Sequence, residues 1–161
     1  MSCGMVRKID ELGRVVLPKE MRKILNIKTG SSVEMKISED NKIVLSKFSE
    51  IENVLFMAKS LGNLIFEKLN LKCLVCDDDK VIAVCGESKK EYLHKKVLLN
   101  FDNIKMVKIE NFLEVKNNEE VCIYPIIMQG FVKGYVVVWD NKLKNNNIDI
   151  LVDFFSSLIN D

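Results

Sequence analysis

Residues 5–47 read MVRKIDELGRVVLPKEMRKILNIKTGSSVEMKISEDNKIVLSK, and this stretch decides how the chain is organised. All three arginines of the protein, Arg7, Arg14 and Arg22, fall in its first half, with Lys8, Lys19 and Lys23 among them. Two short apolar segments, 6–9 and 14–17, flank Gly13, which supplies a turn backbone that a residue with a Cβ resists. Pro18 suits a first helical position, where a missing N–H costs nothing. The spacing that follows predicts a helix over 19–25, with Met21, Ile24 and Leu25 on one face and Arg22 and Lys23 directed away from it. Gly30 ends the helical region. Val33, Met35 and Ile37, then Ile43 and Leu45, alternate as two strands, and Asp40-Asn41 is the turn between them.

Charge is distributed unevenly around this stretch. The chain has 161 residues and a net charge of only +1. Residues 1–47 hold ten Lys/Arg against six Asp/Glu, a net of +4, whereas residues 48–161 hold fourteen Lys against seventeen Asp/Glu, a net of −3. A basic head joined to an acidic body fits a chain that meets polyanions through its head alone. Five cysteines (Cys3, Cys73, Cys76, Cys85, Cys122) are an odd count. The start of the chain does not read as a signal peptide, and no apolar run reaches the ~18 residues of a membrane span. A cytoplasmic protein with reduced thiols is expected. Cys73 and Cys76 form a C-x-x-C, but on a strand over 71–76 they point to opposite faces, which disfavours a shared metal or a bridge between them and favours buried small hydrophobes.

After a joint at 48–52, residues 51–69 read as one long helix. Ile51, Val54, Ala58, Leu61 and Ile65 step by three and four, and Phe56, Met57, Leu64 and Phe66 add apolar surface outside that seam. Such a helix needs two partners, its own domain and the same helix of a second subunit. Strands over 71–76 and 81–85 make a hairpin through Asp77-Asp78-Asp79, read as a turn and not a cation site. Ser88 caps a helix expected over 89–99, with Tyr92, Leu93, Val97 and Leu98 buried. Short strands are expected over 106–109 and 112–115. A long hairpin, 121–128 and 131–139, turns at Gln129-Gly130, and Gly134 marks a bulge or a close approach. Asn145–Asn147 caps a last helix over 148–159. The fold class is α+β, helices around an antiparallel sheet. His94 is the single histidine, and with no serine or cysteine motif beside it nucleophilic triad chemistry has no footing; the chain is not expected to be an enzyme.

The string VRKIDELGRVVLPKEMRKILNI resembles the DNA-binding module of the AbrB and MazE-type transition-state regulators. The competing reading of that string, from structure alone, is a generic β-α-β-β domain. The resemblance implies that two chains interleave their hairpins into one swapped dimer with a barrel-like sheet. It places DNA contacts on Arg7, Lys8, Arg14, Arg22 and Lys23. Position 23 is lysine where an arginine is common, so a forked base contact there is replaced by a point charge. The phrase VIAVCGESKKEYL and the order of elements after the head resemble a GAF domain, and the two-part layout resembles the stage V sporulation protein T family of sporulation regulators. These resemblances imply a nucleoid-associated DNA-binding transcription regulator, built as 1–48 (DNA-binding head), 49–69 (linking and oligomerisation helix) and 70–161 (sensory domain).

Size argues for the dimer independently. About 45 residues bury too small a share of their surface to fold well alone. Val6, Ile9, Leu12, Val15, Val16 and their neighbours need the cover that a second copy supplies. Pairing of dimers into a tetramer is expected through the long helix. In the body, residues 70–161 carry no phosphate loop, metal cluster or cofactor fingerprint, so neither cofactor nor metal is expected. A small-molecule pocket is expected from Val84, Cys85, Gly86, Ile123 and Tyr124. Two other classes stand beside the regulator. One is an antitoxin that binds DNA and a toxin, against which the folded body argues. The other is a GAF-fold methionine sulfoxide reductase using Cys76, Cys85 and Cys122.

Overall fold

The computed structural model describes residues 4–140 and 145–159; Cys3 lies outside them. The chain divides into two compact units, Met1–Phe48 and Ser49–Asp161. Both are built from antiparallel sheets with few helices, the α+β class expected.

In the head, α1 (Lys19–Ile24) precedes the hairpin of β1 (Val33–Ile37) and β2 (Ile43–Lys47). Pro18 sits one place before the helix, as its cap, and its carbonyl accepts from Arg22 N–H at 3.0 Å. Ser38 N–H and Asn41 N–H close the hairpin turn, and Asn41 adopts φ 56°, which Asn tolerates better than most residues. The segments on either side of Gly13 join no sheet: among the described head residues the only strands are β1 and β2.

The body begins with α2 (Glu50–Asn53) and α3 (Leu55–Leu69). The single helix expected over 51–69 is broken at Val54. Ser49 caps α2 by accepting from Glu52 N–H at 3.0 Å. Ile51 of α2 is fully buried against Gly134, where a Cβ would lie 2.4 Å from its Cδ1. Lys133–Glu50 and Lys80–Glu52 ion pairs, at 2.9 and 3.0 Å, hold α2 in that direction. α3 instead lays Ala58, Leu61, Gly62 and Ile65 on the sheet and stops at Asn70, φ 54°.

Strands β3 (Cys73–Asp77), β4 (Val81–Cys85), β5 (Lys105–Lys108), β6 (Glu120–Met128) and β7 (Phe131–Val138) form one sheet in the order β4-β3-β7-β6-β5. α3 and α5 (Asn146–Leu158), capped by Asn145, cover one face with Cys73, Val75, Cys85, Tyr124 and Val136 beneath them. The other face, with Leu74, Cys76, Ile123 and Tyr135, is covered by the chain between β4 and β6. Burial on both faces explains the near-continuous apolar runs of β3 and β4. The β6–β7 turn has positive φ at both Gln129 and Gly130, as a two-residue hairpin of primed type requires. Gly134 is both a bulge partner and a close approach: the register shifts beside it at Ile126/Ile127, and a Cβ would meet Cys76 O at 2.3 Å.

Two expected elements are absent from their places. The helix over 89–99 stops after one turn, α4 (Lys89–Tyr92). His94 then turns at φ 64°, and residues 94–97 bond to the strand and turn before them, with His94 N–H to Val81 O at 2.9 Å and Val97 N–H to Asp79 O at 2.7 Å. Pairing with the edge of β4 outweighed a modest helical propensity. Residues 112–115 do not form a strand; a 3-10 turn at Ile109–Asn111 swings Phe112 and Leu113 into the core instead.

Candidate nucleic-acid interface

The five cations singled out in the head stand on three pieces of backbone, and all five are exposed. Arg7 and Lys8 precede the turn that starts at Asp10; Arg14 closes that turn; Arg22 and Lys23 occupy the last turn of α1. Cations at a helix C-terminus oppose the negative end of its dipole, so α1 favours the charges it displays. Arg14 is the one held most firmly. Asp10 Oδ1 accepts from Leu12 N–H at 3.0 Å and Arg14 N–H at 2.8 Å, and Asp10 Oδ2 accepts from Arg14 Nε at 2.8 Å. The Arg14 amide and guanidinium hold the Asp10 carboxyl below the usual carboxylate range. Engaging Nε leaves the two Nη groups, the fork that matches phosphate or guanine, outside the pair. Asp10 is a positioning residue that the sequence reading missed. Its signal was the Asp-x-x-Gly spacing, a side chain capping its own turn.

Around these cations the head is bare of cover. Val6 is 94% exposed and Ile37 80%, and Ile9, Leu12, Val16, Ile24, Met35 and Ile43 are exposed with them. Of the described head residues, Pro18 and Ile27 alone are buried. Large apolar side chains exposed in such number mark an interaction site.

The five residues expected to form a ligand pocket in the body do not share one. β4 and β6 are separated by β3 and β7, which puts them about 14 Å apart. Val84 and Ile123 face one side of the sheet, Cys85 and Tyr124 the other, and Ile123 and Tyr124 are fully buried. Gly86, at φ +78°, lies under the Phe66 ring, 2.5 Å from where a Cβ would stand. Val84 and Cys85 do border a cavity of about 380 Å³ at the outer edge of β4, walled also by Lys59, Asn63, Lys89 and His94. Alternation along each strand was readable; which strands are neighbours was not. The same geometry separates the three cysteines considered for sulfoxide reduction. Cys76 faces away from Cys85 and Cys122, and Cys122 lies three strands from Cys85.

Comparison with known proteins assigns the two units. Residues 6–50 match the family described as antidote-toxin recognition MazE, bacterial antitoxin, and residues 50–153 match stage V sporulation protein T C-terminal, transcription factor. Stage V sporulation protein T of Bacillus subtilis (strain 168) is 35% identical over 151 residues, covering 86% of this chain and 84% of that protein. The chain belongs to the stage V sporulation protein T family. It is a DNA-binding transcription regulator of the sporulation and transition-state class. The stage V sporulation protein T head is shared more widely. Transition state regulatory protein AbrB of the same organism is 49% identical over 47 residues, 29% of this chain and 48% of AbrB. No helix among the described residues is long and apolar enough to cross a membrane.

Proposed function

We propose that the chain grips double-stranded DNA as a dimer whose two heads exchange their hairpins, each supplying Arg7, Lys8, Arg14, Arg22 and Lys23. The observation that carries this reading is the bare apolar surface of a head studded with exposed cations. A second copy covers the first and doubles its charge. Affinity then comes from counterion release, with log K falling by roughly 0.9 per phosphate neutralised per log unit of salt. Sequence is read by arginine forks, for which the Asp10-held Arg14 is prepared.

In this reading residues 1–48 bind DNA, 49–69 link and 70–161 oligomerise and sense, in the cytoplasm, by binding and not by catalysis. The seam of α3 is used on its own sheet, so pairing of dimers into a tetramer falls to the outward face. There Phe56, 83% exposed, lies with Met57, Leu64, Leu151, Phe154 and Leu158 around an apolar groove of about 370 Å³ between α3 and α5. A small molecule held by the body acts only if it binds two arrangements of the heads with different affinity.

A footprint of the full chain on fragmented genomic DNA, with sedimentation at the same concentrations, tests the proposal. Protection of defined sites by an even-numbered oligomer is expected. Monomers in solution, or protection without sequence preference, overturn it. A panel of metabolites that moves neither the melting temperature nor the DNA affinity removes the sensing step.

A further inference from the structure

Cys73 and Cys85 sit directly opposite each other on β3 and β4. Paired residues of antiparallel strands have Cα atoms about 4.5–5.5 Å apart, inside the 4.4–6.8 Å range of a disulfide. The two side chains lie on the same sheet face under α3. Their sulfurs are 3.8 and 2.7 Å from the point a Cβ on Gly62 would occupy. The glycine makes room for the pair. Cys73 Sγ donates to Gly62 O at 3.3 Å and Cys85 Sγ to Asn63 Oδ1 at 3.3 Å, so both thiols tie α3 to the sheet. The two differ in access. Cys73 is fully enclosed, whereas Cys85 forms part of the cavity wall at the β4 edge, with Lys59, Lys89 and His94 around it.

We propose that this pair is a peroxide-reactive dithiol: Cys85, reached through the cavity, takes oxygen from a small peroxide, and Cys73 resolves it as an intrachain disulfide beneath α3. The proposal is independent of the DNA reading. In the first step the Cys85 thiolate attacks the distal peroxide oxygen. An S–O bond forms, the O–O bond breaks, sulfur loses two electrons, and the peroxide leaves as water or alcohol after taking up a proton. In the second, Cys73 sulfur attacks the Cys85 sulfenic sulfur. The S–S bond forms, the S–O bond breaks, and hydroxide leaves with the Cys73 proton as water. Peroxide is the only oxidant consumed.

The surroundings favour Cys85 as the attacking sulfur. The Cys73 sulfur beside it, with the positive charge of Lys89, holds its thiol below the ordinary value, against the opposing effect of burial. Cys73 is pushed up by the Cys85 sulfur beside it and by burial, and burial pushes Cys76 and Cys122 up. Lys59 and Asn63 of α3, Lys89 of α4, His94 and Cys73 are the polar groups that face Cys85. Among the described residues the other thiols offer no competing partner. Cys76 is on the opposite face, and Cys122 is paired across β7 from Cys73, about 10 Å away and beyond disulfide reach.

The test uses the full reduced chain, hydrogen peroxide and tryptic mapping without reductant. Wild type and Cys76→Ser are expected to yield peptide 73–80 linked to peptide 81–89, two hydrogens lighter than the separate pair. Cys73→Ala is expected to give no link and to accumulate a dimedone adduct on Cys85. Iodoacetamide should label Cys85 roughly tenfold faster than Cys76 or Cys122, with a rate that climbs through a midpoint below that of an ordinary thiol. A link lost in Cys76→Ser, first oxidation at Cys122, or Cys85 labelling no faster than the other two overturns the proposal. The Cys76→Ser map decides the matter even where Cys73→Ala does not fold.

Discussion

The head and the body carry the same apolar alternation and use it in opposite ways. In the body, β3 and β4 are buried at every position, with helices and returning chain on both faces. In the head, β1 and β2 pair only with each other, and Met35, Ile37 and Ile43 stand exposed. A periodic pattern says that a face will be covered; it does not say by which chain. The body finds its cover within its own sequence. The head's cover, in our reading, is a second head.

The comparison breaks first at Val15. It is 50% exposed in the single chain, two residues before half-buried Leu17. Were the head complete alone, Val15→Asp would shift stability by no more than about 0.5 kcal/mol, as at any surface site. Inside a dimer core the same change buries a charge and costs on the order of 4 kcal/mol or more. Loss of the dimer by sedimentation, together with loss of DNA binding, is the expected outcome. The matching test of the body is Gly134→Ala. A Cβ there meets Cys76 O at 2.3 Å and Ile51 Cδ1 at 2.4 Å, and the backbone atom belongs to β3, an interior strand of the sheet. We expect a loss of about 1–3 kcal/mol, read as a lower urea midpoint with the dimer intact.

What the sequence disclosed follows the same division. The β6–β7 hairpin, its Gln129-Gly130 turn, the notch at Gly134, the Asn145 cap and the α+β class were readable, because each is fixed by residues close in the chain. The helix break at Val54 was not, since it depends on Ile51 fitting a notch more than eighty residues away. Residues 94–98 were mistaken for helix because the bonds that straighten them come from Asp79, Val81 and Phe112. The pocket failed for the same reason: Val84 and Ile123 alternate correctly on their strands, but two other strands stand between them. In the head, the cations were legible as residues and Asp10 was not, although it sets the direction of Arg14.

Arg14 and Lys23 sharpen the picture of what the head displays. Arg14→Ala removes a fork held by Asp10 and should weaken DNA binding by about 1–3 kcal/mol per contact, most at sites carrying the base it reads, with the dimer intact. Unchanged affinity takes Arg14 off the interface. Lys23→Ala removes a point charge at the end of α1. Its effect should be similar across DNA sequences and should lower the salt slope by roughly 1 per contact, or about 2 per dimer. A loss confined to one sequence would make Lys23 a base reader.

The smallest effect separates two aspartates that do one local job in the two regions. Asp10 Oδ1 accepts Leu12 and Arg14 N–H; Asp77 Oδ1 accepts Asp79 and Lys80 N–H, both at 2.7 Å. The head leaves Asp10 in solvent, where Arg14 lowers its carboxyl; the body buries Asp77, and desolvation raises its carboxyl against those hydrogen bonds. Linkage gives the two opposite signs. The contribution of Asp77 is present below the ordinary carboxylate range and is lost as pH rises through its raised folded value. That of Asp10 is present above the ordinary range and is lost as pH falls through its depressed one. Asp77→Asn keeps the acceptor and should therefore gain on wild type as pH climbs above about 4, whereas Asp10→Asn should fall behind as pH climbs toward about 4 and hold level above it. Melting curves of the three proteins from acid to neutral pH measure the divergence. Parallel curves would mean that Asp77 is solvated in solution, and the contrast between a displayed head and a sealed body would lose its electrostatic half.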